Sequence, residues 1–167
     1  ALSEINTVMT GFKDVVNAHT AAGDLDYTHL LPFFDANFRQ DGAGVNEGAA
    51  NFAEFLRAGS ISAGAVNSID SLTTDANGNS KASTTGSVSA TTPQGSFSRT
   101  WSPSTPEFSD FTWFYKPAGG AWKLYGNQEP GSIRVKTFIE NRQSGNACQG
   151  CDGAFYFTWF DAQAATR

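Results

Sequence analysis

The chain has 167 residues, 40% of them hydrophobic and 13% aromatic, so it is long enough to bury a core and too apolar to remain disordered. Its net charge is −5 and its 11 basic residues are scattered singly, which excludes the basic stripe that a nucleic-acid-binding surface needs. No stretch approaches the ~20 consecutive apolar residues of a membrane-spanning helix.

The first predicted element is a long amphipathic helix over residues 2–22. Apolar side chains recur at helical spacing from Ile5 to His19, which places them on one face. Ser3 is the predicted N-cap of this helix, and Gly23 is the predicted residue that ends it.

Two further helices are predicted before residue 60. Asp26 is expected to cap a short second helix, which Pro32 should end or distort. Residues 38–42 are predicted to form a short strand that leads into a turn. A third helix is expected to begin at Asn46, as its cap, and to end at Gly59.

From residue 60 onward, alternation with a period of two predicts antiparallel strands separated by turn residues. The predicted strands are 61–74, 81–91, 95–101, 108–116 and 121–128. The Thr/Ser/Gly-rich stretch 72–92 is expected to be an exposed hairpin at a sheet edge. Helices followed by an antiparallel sheet predict an α+β fold.

The last part of the chain predicts a separate two-stranded appendage, residues 129–167, behind a domain of residues 1–128. Its strands are expected at 132–141 and 153–161, and the second strand is aromatic on both faces. Such a strand needs cover on both sides, so the hairpin should extend its own sheet, contact a neighbouring subunit or begin a further β domain. The candidate assembly surface is Phe155, Phe157 and Trp159.

Several segments together carry a family resemblance. They are residues 21–26 (AAGDLD) after the long helix, 30–32 (LLP) leading into 38–42 (FRQDG), 51–56 (NFAEFL) and 121–125 (AWKLY). On these segments, over about residues 2–128, the chain resembles the nuclear transport factor 2-like family, which includes ketosteroid isomerase-like and SnoaL-like proteins. The resemblance implies a curved sheet wrapped around the first helix as a cone-shaped α+β barrel, with a pocket at its open end. The family includes isomerases, dehydratases, cyclases, carriers and non-catalytic modules, so the resemblance does not select a function.

A ketosteroid isomerase-like site would need a carboxylate base in the pocket beside a Tyr or a protonated acid. Strand alternation predicts that Phe38 faces the core and that Asp41 faces outward, and Asp35 is expected to be a turn acceptor. No carboxylate is therefore predicted to accompany a pocket tyrosine. The candidate pocket residues are Phe38, Gln40, Trp101, Trp113 and Tyr115.

The histidines and cysteines do not predict a cofactor or a metal site. His19 and His29 are interpreted as structural residues. Cys148 and Cys151 lack the following His of a haem-attachment motif and a second ligand pair for zinc. Glycines mark their segment as a loop, whereas a thioredoxin-like redox pair opens a helix. A local disulfide is the favoured interpretation, and reduced thiols are the alternative.

The sequence favours a non-catalytic module that binds a partner protein or assembles as a homo-oligomer, although it does not settle whether the chain is an enzyme. Low charge content and a first residue, Ala1, that is compatible with a removed leader predict a secreted, periplasmic or cell-surface location. The alternative function is a pocket protein for a small apolar ligand, or a ketosteroid isomerase-like isomerase or lyase. A third hypothesis is a domain of a longer surface protein, with Pro130 near its boundary.

Overall fold

The computed structural model describes residues 1–104 and 112–129. Within these residues the helices are α1 (Leu2–Ala22), α2 (Tyr27–Leu30), which continues into a 3-10 turn (Leu31–Phe33), and α3 (Val45–Leu56). The strands are β1 (Ser60–Thr74), β2 (Ser80–Thr92), β3 (Gly95–Trp101), β4 (Trp113–Lys116) and β5 (Lys123–Gly126). The predicted α+β class is confirmed, with helices at the N-terminus and a curled antiparallel sheet of five strands.

Several predictions fall outside the described residues. They are the C-terminal hairpin with strands 132–141 and 153–161, the first part of predicted strand 108–116, the assembly candidates Phe155, Phe157 and Trp159, and the cysteine pair Cys148 and Cys151.

β2 organises the sheet because it has partners on both sides. One edge pairs with β1 along almost the whole strand. On the other edge its first half pairs with β4 and its second half pairs with β3. The prediction that the stretch 72–92 is an exposed hairpin at a sheet edge is therefore wrong for β2, which has a partner on each edge. Residues 72–78 at the turn are exposed, whereas Ala82, Ser83 and Thr84 of β2 are buried.

α1 lies against β1 and covers the edge of that strand. Asn17 Nδ2 donates to Ile61 O (2.9 Å), and Asn17 Oδ1 accepts from Ile61 N (2.8 Å). Asn6 makes the same pair of bonds with Val66, at 3.0 and 2.8 Å. The two asparagines lie about three helical turns apart on one flank of α1, so they satisfy edge groups of β1 that have no strand partner among the described residues.

The helix ends agree with the predictions only in part. Gly23 ends α1 in a left-handed conformation (φ 74°), and the Asp26 side chain caps α2, both as predicted. The predicted caps Ser3 and Asn46 are wrong. Ala1 precedes α1 and Gly44 precedes α3, and neither helix has a side-chain cap.

None of the helices in the described part of the chain is long and apolar enough to cross a membrane.

Candidate functional site

A cavity of about 160 Å³ lies between α1, α3 and the inner face of the sheet. Among the described residues, its lining comes from α1 (Met9, Phe12, Lys13), from the segment before α3 (Phe38, Gln40), from α3 (Phe52, Phe55, Leu56), and from the sheet and the residue before β4 (Ile61, Gly64, Val88, Ala90, Phe97, Arg99, Trp101, Thr112, Leu124).

The apolar character of this cavity follows from the periodicity of its elements. Val88 and Ala90 alternate along β2, and Phe97 and Trp101 lie at even spacing along β3, so all four point to the inner face. Phe55 of α3 contacts Phe97, with ring centroids 5.2 Å apart. Both rings are half-buried, and both line the cavity.

Trp101 forms the wall of the cavity at the end of β3. Its side chain is 5% exposed, and its indole N–H donates to Thr84 Oγ1 at 2.9 Å. The ring lies over Gly86 so closely that a Cβ at Gly86 would be 2.2 Å from Trp101 Cζ2. Glycine at this position is what allows the indole to approach β2 so closely.

Four polar side chains reach the cavity: Lys13, Gln40, Arg99 and Thr112. Gln40 Oε1 accepts from Asn127 N (2.8 Å), so the NH₂ group of the Gln40 side chain takes no part in that bond. Thr112 Oγ1 accepts from Gly126 N (3.0 Å) and donates its hydroxyl proton to Trp113 O (2.9 Å), so it has no further proton to donate to a ligand. The lining formed by the described residues contains two cations and neither a carboxylate nor a histidine.

The structure divides the five candidate pocket residues between two faces of the sheet. Phe38, Gln40 and Trp101 line the cavity. Trp113 and Tyr115 do not, because Phe114 between them is fully buried on the inner face. Alternation then places both neighbours of Phe114 on the outer face. Sequence alternation correctly grouped Trp113 with Tyr115 but did not show which face of β4 is internal.

On the outer face, Trp113 and Tyr115 form a cluster with Lys81 and Tyr125. Lys81 Nζ lies 4.1 Å from the Trp113 ring centroid, and the rings of Tyr115 and Tyr125 stack at 4.9 Å. Partial burial lowers the pKa of the Lys81 ammonium. Burial, followed by the nearby Asp35 carboxylate and Tyr115, raises the pKa of Tyr125. Both shifts favour the uncharged forms.

The prediction that Asp41 faces outward is wrong. Its side chain is 1% exposed, and it exchanges hydrogen bonds with Asn127: Asp41 N donates to Asn127 Oδ1 (3.0 Å), and Asn127 Nδ2 donates to Asp41 Oδ1 (2.9 Å). Alternation fails because Asp41 (φ 50°) and Gly42 (φ 85°) form a tight turn instead of extended strand. Asp35 is a turn acceptor, as predicted, with Asn37 N donating to Oδ1 at 2.8 Å.

His19 and His29 are brought together, which sequence reasoning missed. Their rings stack with centroids 3.5 Å apart, and His19 Nδ1 lies 2.8 Å from Asp24 Oδ1. The two histidines were treated separately because they belong to different helices. The signal that could have joined them is the short Gly23–Asp26 connection, which folds α2 back against the end of α1.

Comparison with protein-family models, with curated proteins and with solved structures gives no match for this chain. The interpretation of the site therefore depends on its geometry and chemistry.

Proposed function

We propose that this protein binds a small molecule in the cavity between α1, α3 and the sheet, and that the ligand is a single-ring aromatic carboxylate. The observation that carries the proposal is an apolar cavity of about 160 Å³ with half-buried aromatic walls. An apolar protein cavity of about 150 Å³ holds one benzene molecule. The size of the cavity therefore suits one aromatic ring and is too small for a steroid-sized ligand.

The charges of the lining favour an acidic group on that ring. Lys13 and Arg99 are the charged side chains among the described lining residues, in a chain whose net charge is −5. Lys13 makes no ion pair within residues 1–104 and 112–129. A carboxylate beside Lys13 and the Gln40 amide would meet hydrogen-bond donors, while its ring would lie among Phe55, Phe97 and Trp101.

The chemistry of the lining favours binding over catalysis. A ketosteroid isomerase-like reaction needs a general base and an oxyanion donor that contact the same ligand. The described lining offers no carboxylate or histidine, and Tyr115 lies on the other face of the sheet. Among the described lining residues, the two principal groups of the isomerase or lyase alternative are therefore not found.

The nuclear transport factor 2-like family and its cone-shaped barrel belong to the same proposal. In its favour are the order of three helices before the sheet and a cavity beside the first helix. We further propose a secreted, periplasmic or cell-surface location, for which the motivation is the low content of charged residues, 16%.

We also propose association with a second copy or a partner protein, for which the motivation is the aromatic segment 155–160 of the sequence. Light scattering of the full chain tests self-association, and a monomer at every concentration would contradict it.

Benzoate is expected to bind about tenfold more tightly than benzamide, its neutral isostere, as measured by isothermal titration calorimetry. A tenfold preference corresponds to about 1.4 kcal/mol, the low end of a hydrogen bond to a charged group. Lys13→Met should remove most of this preference by weakening benzoate binding alone. 1-Naphthoate should bind more weakly than benzoate, because a second ring exceeds the volume of the cavity.

The matched control is Lys123→Met, since Lys123 flanks the buried Leu124 on β5 and lies outside the cavity lining. This variant should bind both ligands as the unaltered chain does. Equal affinity of the unaltered chain for benzoate and benzamide would refute the acidic ligand, and no binding of either at millimolar concentration would refute the binding function.

A further inference from the structure

We propose that His19, Asp24 and His29 form a site for one divalent late transition-metal ion, for which Zn²⁺ is the probe. The site lies on the surface where α1 ends and α2 begins, and it is distinct from the cavity. One ligand atom from each of the three side chains lies within 4.8 Å of the other two. Imidazole nitrogens with a carboxylate oxygen are a ligand set that Zn²⁺ and its neighbours in the transition series bind.

The backbone at this junction positions the three side chains together. Gly23 ends α1 in a left-handed conformation, and Asp24 N donates to His19 O (3.0 Å), which folds Asp24 back over the last turn of the helix. Asp26 then caps α2, three residues before His29. The two imidazole rings are brought together at 3.5 Å with 11° between their planes, and one ring must tilt for both in-plane nitrogen lone pairs to reach a single ion.

The observed spacings are close to those of a bound ion. Ligand distances of about 2.0–2.2 Å in a tetrahedral site place two ligand atoms about 3.4 Å apart. His19 Nδ1 and Asp24 Oδ1, at 2.8 Å, would separate slightly as the ion replaces the proton that they share. Separations of up to 4.8 Å within the group would shorten by as much as roughly 1.4 Å, to which rotation of the exposed Asp24 carboxylate (60% accessible) and of the partly exposed imidazole rings can contribute.

Binding of the ion at His29 would cost one hydrogen bond of the α2 cap. Its Nδ1 accepts a hydrogen bond from Asp26 N (3.2 Å) and lies 4.0 Å from Asp26 Oδ1. If the ion takes Nε2, the proton of the neutral ring moves to Nδ1, the bond from Asp26 N is lost, and the Asp26 carboxylate becomes the acceptor for that proton. Three protein ligands also leave one tetrahedral position for water, so we expect micromolar affinity.

The experiment is a zinc titration of the full chain at pH 7.5 in the Cys148→Ser/Cys151→Ser background, which removes the thiols as competing ligands. Calorimetry should give one site. Because the chain has two histidines, the ring signals of both should shift on adding zinc in ¹H–¹³C NMR spectra. His19→Gln, His29→Gln and Asp24→Asn should each weaken binding at least tenfold.

Asp14→Asn is the matched control, because Asp14 is an exposed acid of α1 outside the group. It should bind zinc as the parent does. Asp24→Asn changes an exposed side chain and keeps its shape, so it tests the site without endangering the fold. Zinc binding that leaves the histidine signals unmoved, or that survives His19→Gln unchanged, would overturn the proposal, as would the absence of binding at 100 micromolar zinc (~tenfold above the expected Kd).

Discussion

Replacing Trp101 by alanine is expected to lower the free energy of unfolding by about 3–5 kcal/mol, the usual cost of removing a large buried aromatic side chain. Trp101 is 5% exposed, covers Gly86 and forms one wall of the cavity. Because Trp101 already borders a cavity, few neighbouring side chains can move into the space that its indole would leave. The measurement is equilibrium denaturation in urea.

The exposed neighbour Thr100 supplies the control, since Thr100→Ala on the same strand should change stability by no more than about 0.5 kcal/mol. The hydrogen bond from the indole to Thr84 can be separated from packing by a double-mutant cycle with Thr84→Val. Thr84→Val alone should cost about 1–2 kcal/mol, and less when Trp101 is already alanine. A loss below about 1 kcal/mol for Trp101→Ala would show that this wall is not packed as described.

Replacing Asn17 by alanine is expected to cost about 2–3 kcal/mol, because the change leaves both Ile61 N–H and Ile61 C=O without their partners. The higher helix propensity of alanine offsets part of this loss, by about 0.5 kcal/mol. Asn6→Ala should behave similarly at Val66. The two sites are far apart on α1, so the double variant should lose roughly the sum of the single losses.

Hydrogen exchange gives a second measurement of this contact. The amide protons of Ile61 and Val66 should exchange faster in the variants than in the unaltered chain, since the asparagines hold them at the edge of β1. Asn67→Ala is the control, because Asn67 is an exposed asparagine of β1. Unchanged stability and unchanged protection at Ile61 in Asn17→Ala would mean that α1 is not joined to β1 by these bonds.

The apolar periodicities in the sequence were enough to predict α1 and the order of helices before strands. The end of α1 at Gly23 and the start of α2 at Asp26 were predictable as well, because left-handed and capping positions have strong residue preferences. The apolar periodicities did not reveal Asn6 and Asn17. Polar residues on the flank of an apolar helix face look solvated in a sequence, and their role appears only when a strand edge lies beside them.

The candidate site was predicted less well than the fold. Phe38, Gln40 and Trp101 line the cavity, but the faces of Trp113 and Tyr115 depended on which side of β4 packs inward. Asp41 was misplaced because strand alternation was applied across a turn. Met9 and Phe55 lie at apolar helix positions, but a cavity-lining residue and a packed core residue have the same periodicity in a sequence.

The proposal of an aromatic-carboxylate site is tested most directly by closing the cavity and measuring benzoate binding by ¹H–¹⁵N NMR titration. Val88→Phe adds a ring to the inner face of β2, and Ser89→Phe adds the same ring to the outer face of the same strand. We predict benzoate-dependent shifts at amides along the cavity in the unaltered chain and in Ser89→Phe, and at least tenfold weaker binding in Val88→Phe. Binding that is unchanged in Val88→Phe, with shifts away from the cavity, would contradict the proposal.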